Sequence, residues 1–561
     1  MASDAIADEQ RPLLRGNQSN PRNSSVAAST TAEAAAAAAT GPAFRRNLGA
    51  LEAFAIVISI VIGSGIFTSP GAVDTNVPSP GAALGVWLVG GLLAWTGAAT
   101  LAELGTAIPG EGGVQPYLQY VYGDIAGFLA AWTWLVAVMP ATLAILSIVF
   151  VESAAAALDG SVGGTAVAVA TAGSGDGQSV AHKLLSVAVL VAVSLANSIS
   201  TRVSARLNNF FVGTKFVAIG AVVVAALAVV VVQTTASPEK RPADDTTPGG
   251  HDWRTSSWFA SRPTLNPDGT TTDWTTLSSW ALLGHLSAAL YGALWAYSGW
   301  DKAVYVSAEL REPARQLPLA IHAALPTIVL CFLAANAAYY VLLPWSVVST
   351  TDSIAVTAFA RLLGPAAGVA AALLVCLVVA GSLLGNSFVA GRMAVAAANK
   401  NWIPSAFSAL GLPLFLFSFS ASSSSSSSSG GGGGGGDDDG GSDAAPVNAL
   451  ALAAGLGAVY VLLGNFRALL TFNGLGEFTF FFLTVVGALV LRVREPGLPR
   501  PYKPLVAAPI AFALVSGFVV ARGAAFAPVQ ALVLVVLWLL GVVYYYCRRW
   551  AQQRDAAVGE A

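Results

Sequence analysis

Charged residues are scarce in this sequence. Of its 561 residues only 10% are Asp, Glu, Lys or Arg, whereas 55% are hydrophobic. So much apolar surface cannot be buried inside a soluble domain, and the composition therefore excludes an ordinary soluble protein. The formal net charge of -2 leaves no basic excess with which to bind a polyanion, so we expect no nucleic-acid partner.

Cysteine is scarce as well, with three residues in the chain: Cys331, Cys376 and Cys547. They form no spaced pair, so the sequence predicts neither a disulfide framework nor a metal site, and it implies no cofactor. The few polar residues contain no nucleophile–base constellation, so an enzyme is not expected. Residues 1–46 lack the apolar segment of a cleavable signal peptide, and the first apolar span is expected to act as its own insertion signal.

Long apolar runs are abundant. Stretches of about 17 or more mainly apolar residues occur roughly twelve times, which predicts an all-α membrane protein with about twelve transmembrane helices. Their approximate limits are 51–71, 82–107, 125–156, 184–201, 208–233, 280–308, 319–344, 365–397, 447–464, 468–493, 505–521 and 528–546.

Lys and Arg lie in the two terminal segments and in alternate loops between the predicted spans. These residues are Arg11, Arg15, Arg22, Arg45, Arg46, Arg202, Arg206, Arg311, Arg315, Arg392, Lys400, Arg492, Arg494, Arg500, Lys503, Arg548, Arg549 and Arg554. Because cytosolic loops are enriched in Lys and Arg, both termini are predicted to be cytosolic. The long segment 234–279 also contains basic residues, but neighbouring acids offset them and most lie far from span ends, where the rule is weak.

Two segments are of low complexity. Residues 1–46 are predicted to be a disordered cytosolic tail, and residues 418–445, rich in Ser, Gly and Asp, a flexible loop within the membrane domain 47–546. Residues 547–561 are predicted to be a cytosolic C-terminal tail. Residues 9–14, EQRPLL, fit the acidic-dileucine pattern that adaptor complexes read when they sort cargo, a pattern that also arises by chance in disordered tails.

The first predicted span contains a break. Gly63, Ser64 and Gly65 interrupt an apolar run from 55 to 67. A broken helix survives in hydrocarbon where it lines a cavity, and the N–H groups at the new helix start can hold a carboxylate. The alternative is that the two glycines only let neighbouring helices pack closely.

A second break is predicted in span 6, at Ser298 and Gly299, between the aromatic residues Tyr297 and Trp300. Spans 1 and 6 are the first members of two five-span halves. Interruptions at corresponding positions of two halves are the best sequence indication of a binding site at the bilayer midplane. An aromatic stripe is also typical of a core or an interface belt.

Few ionisable residues lie within the spans, and each is a functional candidate because burying a charge in hydrocarbon is costly. Lys215 lies in span 5 and could instead snorkel to the interface. Glu103, at the cytosolic end of span 2, is expected to form a gate or a helix-end ion pair. Asp301 and Lys302 follow the second break. Glu477 lies deep in span 10, either as a buried carboxyl that is protonated or paired, or in contact with a substrate.

Four stretches together resemble the amino acid/polyamine/organocation superfamily and, within it, the L-type amino acid transporter family. The resemblance covers about residues 47–546, and the wording of spans 6 and 10 is closest to fungal members that include methionine permeases. It implies two inverted five-helix repeats with discontinuous helices 1 and 6. The stretches are 62–67 (IGSGIF), 102–113 (AELGTAIPGEGG), 297–318 (from YSGWD to EPARQLP) and 491–503 (from LRVREP to RPYK).

The resemblance implies a substrate site, residue by residue. A substrate carboxylate would meet N–H groups at Gly63, Ser64 and Gly65. A substrate ammonium would meet carbonyl groups at Ile60, Val61, Trp295, Ala296 and Ser298. Trp295 would also be an aromatic gate over the substrate, and Lys215 matches a lysine that replaces a sodium ion in proton-coupled relatives.

The sequence departs from the family at three places, of which the span 8 stretch 385–387 (GNS) is one. Glu477 stands where animal relatives have a neutral polar residue near the substrate side chain. We expect Glu477 to be mostly protonated, because the rest of the pocket is predicted to be apolar. Residues 157–182 contain no cysteine, although animal relatives use a cysteine there to bond a heavy chain, so no disulfide-linked heavy chain is expected.

The function implied by the resemblance is secondary active transport of L-amino acids by alternating access, and we expect the substrates to be neutral amino acids. The alternative is an amino acid-sensing membrane receptor, with or without transport. The expected partners are an amino acid substrate and the lipid bilayer. The expected location is the plasma membrane or a vacuolar or endosomal membrane.

Overall fold

The computed structural model describes residues 48–108, 112–162, 180–199, 201–235, 248–266, 269–351, 353–409, 446–464 and 466–559. The predicted tail 1–46, its motif at 9–14, residues 163–179 of the 157–182 segment and the whole of 418–445 lie outside these ranges. The described chain is almost entirely helical. The exception is one antiparallel pair of short strands, β1 (Thr264–Leu265) and β2 (Thr271–Thr272).

The helices of the first half follow the predicted spans closely. They are α1 (Ala50–Val61), α2 (Gly65–Asp74), α3 (Pro80–Ala107), α4 (Val114–Tyr122), α5 (Asp124–Thr133), α6 (Met139–Val162), α7 (Val180–Ile199), α8 (Thr201–Thr235) and the short α9 (Asp252–Thr255). A π-helical turn, Trp134–Val138, joins α5 to α6 into one span.

The second half begins with α10 and ends with the long helix α18. Its helices are α10 (Ser279–Ala296), α11 (Pro313–Leu342), α12 (Trp345–Thr350), α13 (Ile354–Leu363), α14 (Pro365–Asn399), α15 (Val447–Leu463), α16 (Phe466–Arg494), α17 (Ala507–Phe526) and α18 (Pro528–Gly559), with 3-10 helices at Lys302–Glu309 and Ser405–Phe407. Residues 547–559, predicted to be a tail, continue the last helix.

The described residues contain nine straight spans that are long and apolar enough to cross a membrane, or ten if the bent pair α1 and α2 is one span. This agrees with a multi-pass membrane protein. The two remaining predicted spans coincide with α10, which stops at Ala296, and with α15, which has 17 residues. The count of about twelve therefore stays a prediction, as does the division into inverted repeats.

The interior of the bundle is packed with aromatic and small side chains, whereas the outer helices present apolar residues outward. The rings of Tyr297 and Phe332 lie 4.8 Å apart, and the Trp87 ring lies 5.7 Å from that of Phe332. Leu539 and Val543 on α18 are each 60% exposed. Large apolar side chains exposed in this way need lipid around them.

Ion pairs gather at the two ends of the bundle. At one end Glu103 accepts hydrogen bonds from Arg492, with Nη2 at 2.5 Å from Oε2, and lies 3.2 Å from Arg500 Nε. At the same end Arg392 pairs with Glu309. The helix-end ion pair predicted for Glu103 is confirmed. Other basic residues that were predicted to be cytosolic lie at this end as well. They include Lys400, Arg500 and Arg548.

The opposite end is closed by residues of the 248–266 segment. Arg262 Nη2 lies 2.7 Å and 3.0 Å from the two carboxylate oxygens of Asp74, the last residue of α2. The hydroxyl of Tyr340 donates to the same carboxylate at 2.5 Å. The basic residue Arg262, which belongs to the segment that did not follow the charge pattern, is therefore paired and lies at the end of the bundle opposite the Glu103 ion pair.

The Glu103 pair is expected to be important for stability. In Glu103→Gln two guanidinium groups that are less than a tenth exposed lose their carboxylate, and breaking a buried pair costs about 3 kcal/mol or more. We expect a clear fall in the Tm of the detergent-purified protein. Glu495→Gln is the control, because Glu495 bonds Tyr120 at an exposed position and the loss there is about 1 kcal/mol or less. Equal shifts in the two variants would contradict the structural role of Glu103.

Candidate functional site

The first helix break is present where the sequence predicts it. α1 ends at Val61, α2 begins at Gly65, and the two axes differ by 48°. Ile62 leaves the helical region with φ -75° and ψ 82°. The chain between the two helices therefore exposes backbone groups that a continuous helix would satisfy internally.

Two of the three predicted N–H groups remain available at this break. The N–H group of Gly63 donates to Val61 O at 2.8 Å and so forms a tight turn. In this conformation it is therefore not available for the predicted contact with a substrate carboxylate. Ser64 and Gly65 stand at the start of α2, and the described backbone bonds give their N–H groups no acceptor. A helix start of this kind attracts an anionic group.

Gly65 is needed for packing as well. A Cβ at this position would lie 2.5 Å from Ala296 Cα, so α2 and the end of α10 meet backbone to backbone. The two interpretations of the sequence, a helix break and close helix packing, are therefore both correct for Gly65, because this residue begins α2 and also contacts α10.

The second break lies directly opposite. α10 ends at Ala296, and Gly299 adopts φ +102°, which favours glycine. A Cβ there would lie 2.5 Å from Ile60 Cγ2. The carbonyl of Trp295 accepts the N–H of Ser298 at 3.0 Å, whereas the described backbone bonds give the carbonyl groups of Ile60 and Ala296 no donor.

Both breaks open into one cavity. All the residues predicted to bind substrate line it: Ile60, Val61, Gly63, Ser64, Gly65, Trp295, Ala296, Ser298 and Glu477. The cavity thus combines unpaired N–H groups on one side with unpaired carbonyl groups on the other, which suits a ligand with an anionic and a cationic end. Residues that the sequence analysis did not assign to the site also line it: Thr142, Leu146, Gly299, Lys302 and Asn386.

Lys302 changes the electrostatics of the cavity. Its Nζ lies 2.8 Å from Asp301 Oδ2 and 3.3 Å from Glu477 Oε1, and Ser298 donates to the other Glu477 oxygen at 3.2 Å. The expectation of an otherwise apolar pocket around Glu477 was wrong. The structure agrees instead with the other alternative, in which Glu477 is a buried carboxyl paired with a neighbouring group. We call Asp301, Lys302 and Glu477 the charged triad.

The sequence could not place the charged triad because its members come from different spans. Lys302 and Glu477 are 175 positions apart. The sequence feature that could have indicated the charged triad is the adjacent pair Asp301 and Lys302, directly after the break at Ser298 and Gly299. Across the described ranges no three His, Cys, Asp or Glu side chains come together as a metal site requires.

Lys215 does not line the cavity and does not snorkel. Its side chain is completely buried, and its Nζ donates to the carbonyl of Ser59 and, at 2.8 Å, to the hydroxyl of Ser382. Ser382 Oγ in turn lies 3.2 Å from Ser59 O. The ammonium therefore contacts the last turn of α1, just before the first break.

Known proteins agree with this architecture. A sequence model described as "Amino acid permease" matches residues 48–546. The chain is 27% identical to the mouse b(0,+)-type amino acid transporter 1, over 90% of this chain and 88% of that protein. It is 27% identical to the mouse Asc-type amino acid transporter 1 and 25% identical to the rabbit large neutral amino acids transporter small subunit 2, in each case over 90% of this chain and 81% of the relative.

Proposed function

Because the chain belongs to the amino acid permease family, we propose that it is a secondary transporter of L-amino acids and that its substrate occupies the cavity between the two helix breaks. The family is one of permeases rather than enzymes. The observation that carries the proposal is the meeting of the two breaks in one cavity lined by all the residues predicted to bind substrate. Paired interruptions of this kind are typical of substrate sites in secondary transporters.

The proposed orientation of the substrate follows from the backbone groups. Its carboxylate accepts hydrogen bonds from the N–H groups of Ser64 and Gly65, where the start of α2 favours a negative charge. Its ammonium donates to the carbonyl groups of Ile60 and Ala296 across the cavity. Trp295 is half-buried at the edge of the cavity and closes over the substrate as a gate.

We propose that the substrate side chain is neutral. The charged triad supports this, because Lys302 already supplies a cation to Glu477, the carboxylate that lines the cavity, and to Asp301 next to it. A cationic side chain would have to displace that ammonium, and an anionic one would face Glu477. The name of the large neutral amino acids transporter among the relatives points the same way.

The contacts at the breaks support alternating access. Gly65 against Ala296 and Gly299 against Ile60 leave no room between the two broken helices, so the helices move together. The chain before α1 is also joined to residues after the second break, since Leu48 exchanges backbone hydrogen bonds with Glu309 and Arg311 at 3.0 Å. Movement of one discontinuous helix is therefore passed to the other.

The finer predictions are part of the same proposal. We propose that both termini are cytosolic, supported by the basic residues that gather at one end of the bundle, and that the protein resides in the plasma membrane or a vacuolar or endosomal membrane. Resemblance to fungal methionine permeases and recognition by adaptor complexes stay predictions. Although one relative is named a small subunit, we propose that this chain has no disulfide-linked heavy chain, because residues 157–182 contain no cysteine.

A receptor that senses amino acids without moving them is the competing function. It would need the same cavity, so binding alone does not separate the two. Net movement of labelled substrate into vesicles does, because a receptor without transport gives none.

The function is tested by uptake of labelled leucine and methionine into vesicles that contain the purified protein. We expect uptake by the wild type and none by Gly65→Val, whose added side chain would collide with Ala296. Gly220→Val is the matched control, because a Cβ at Gly220 meets nothing within 4 Å. Membrane yield and elution profile of both variants are measured, and normal uptake by Gly65→Val would refute the assignment.

A second variant tests the carboxylate contact without relying on a collision. Ser64 has φ -65°, the angle that proline requires, so Ser64→Pro removes the N–H group while it keeps the backbone conformation. A hydrogen bond to a charged group contributes about 1.5–3 kcal/mol, and we expect substrate affinity to fall by about tenfold or more. Unchanged affinity would place the carboxylate elsewhere.

Lys215 is expected to couple proton movement to transport, because its ammonium contacts the helix that breaks at the cavity. Lys215→Gln should lose the dependence of uptake on pH but keep exchange of substrate across the membrane. Lys183→Gln is the control, since Lys183 donates to Leu462 O at an exposed position. The measurement is uptake of labelled substrate at two pH values by the wild type and both variants. An unaltered pH profile in Lys215→Gln would argue against proton coupling at this residue.

The charged triad sets the expected selectivity. Glu477→Gln keeps a hydrogen-bonding side chain next to Ser298 and Lys302, so uptake of leucine or methionine should stay close to that of the wild type. Lys302→Gln leaves two carboxylates without their cation, and lysine should then compete at least about tenfold better, since such charge pairs contribute about 1.5 kcal/mol or more. Strong lysine competition in the wild type that disappears in Glu477→Gln would overturn the neutral-substrate proposal.

A further inference from the structure

A basic cleft lies at the end of the bundle that contains the Glu103 ion pair, remote from the cavity. Its walls are the last turns of α18, the chain that follows α14, and the start of α5. The side chains of Lys400, Arg548, Arg549 and Asp124 line it. Three cations against one carboxylate give this C-terminal cleft a net charge of about +2.

The cations of the C-terminal cleft are held in place by the protein. Arg548 donates from Nε to Asn401 O and from Nη2 to Ile403 O, each at 2.8 Å. Arg549 Nη1 donates to the hydroxyl of Tyr545 at 3.2 Å. Among the described residues neither Arg548 Nη1 nor Arg549 Nη2 has a partner, so oriented guanidinium donors remain for a ligand.

The turn at Asn401 builds one wall of the cleft. Asn401 has φ +58°, in the left-handed region, which asparagine tolerates better than most residues. This conformation turns its carbonyl toward α18, where it accepts from Arg548 Nε and, at 3.0 Å, from Gln552 Nε2. Lys400 donates to Gln119 and lies with its Nζ 4.9 Å from the centre of the Trp402 ring.

The height of the C-terminal cleft in the membrane follows from α18. A stripe of exposed apolar residues runs along this helix and ends in Tyr546 and Trp550, which are 59% and 63% exposed. Tyr and Trp concentrate where the hydrocarbon meets the lipid headgroups. The cations Arg548 and Arg549 alternate with these rings along the same turns, so the cleft opens at headgroup level.

We propose that the C-terminal cleft binds the headgroup of an anionic phospholipid. Oriented guanidinium groups match the oxygens of a phosphate group, with which arginine forms paired hydrogen bonds. Basic pockets between membrane helices at the cytoplasmic surface bind such headgroups. The lipid would join α18 to the chain after α14 and to the start of α5. This inference depends on the membrane location of the chain and not on transport.

The test compares the Tm of the full-length protein in nanodiscs of phosphatidylcholine with its Tm in nanodiscs that also contain phosphatidylinositol. A ligand that binds the folded protein raises Tm, and we expect an increase of several degrees for the wild type. The double variant Lys400→Gln/Arg549→Gln should lose most of this increase, because each cation removed weakens binding about fivefold.

The control is Arg494→Gln/Arg554→Gln, which removes the same charge from exposed positions outside the cleft and should keep the increase. Soluble inositol 1-phosphate, added to phosphatidylcholine nanodiscs, distinguishes a lipid from a free phosphate. An equal increase in both double variants would overturn the proposal, as would no increase in the wild type. An equal increase with inositol 1-phosphate would assign the cleft to a soluble anion. No outcome depends on amino acid flux, so failure here and failure of the transport proposal are distinguishable.

Discussion

The backbone of a membrane-spanning helix must satisfy its own hydrogen bonds, and the site of this protein exists because two helices stop doing so. Where α1 gives way to α2 and where α10 ends, N–H and C=O groups lose their helical partners. Unsatisfied groups are tolerated at membrane depth only where they face a cavity or other protein groups. The two breaks therefore have to lie together and share an interior space, and a ligand with two opposite charges fits the groups that remain.

Glycine makes this arrangement sterically feasible. Gly65 lets α2 lie against the end of α10, and Gly299 lets the chain turn with a positive φ against Ile60. A Cβ at either position would collide with the facing residue, so a larger side chain would require the two broken helices to move apart. The same contacts that bring the two breaks together also connect the two helices, as the proposed coupling of substrate binding to conformational change requires.

Local features of the sequence predicted local features of the structure. The break at 63–65, the break at Ser298 and Gly299, and most span limits came from composition and glycine placement within short windows, and the structure agrees with them. The hydrogen bond from Gly63 N–H to Val61 O was not predicted. It depends on backbone dihedral angles, which composition does not specify.

Contacts between distant spans were the part that sequence reasoning could not supply. The partner of Glu477 is Lys302, and its position in the cavity depends on how span 6 unwinds after Ala296 and which face of span 10 turns inward. Neither follows from hydropathy, since both residues sit in runs of mixed polarity. The sequence likewise left open whether Lys215 snorkels to the interface or serves a function inside the bundle, because periodicity does not distinguish a snorkelling lysine from one that points inward.

Most of the buried charged side chains in the described spans are paired with an opposite charge. Asp74, Glu103, Glu309 and Glu477 each pair with a cation from another part of the chain. The described partners of Lys215 are neutral, a carbonyl and a hydroxyl. A proton can therefore leave or return to Lys215 without separating an ion pair, whereas protonating any of the four carboxylates would break one. Since Ser59 and Ser382 connect this ammonium to the last turn of α1, a change in its charge acts directly on the helix whose break forms half of the cavity. For this reason we propose Lys215, among the buried ionisable groups of the described spans, as the residue that couples proton movement to transport.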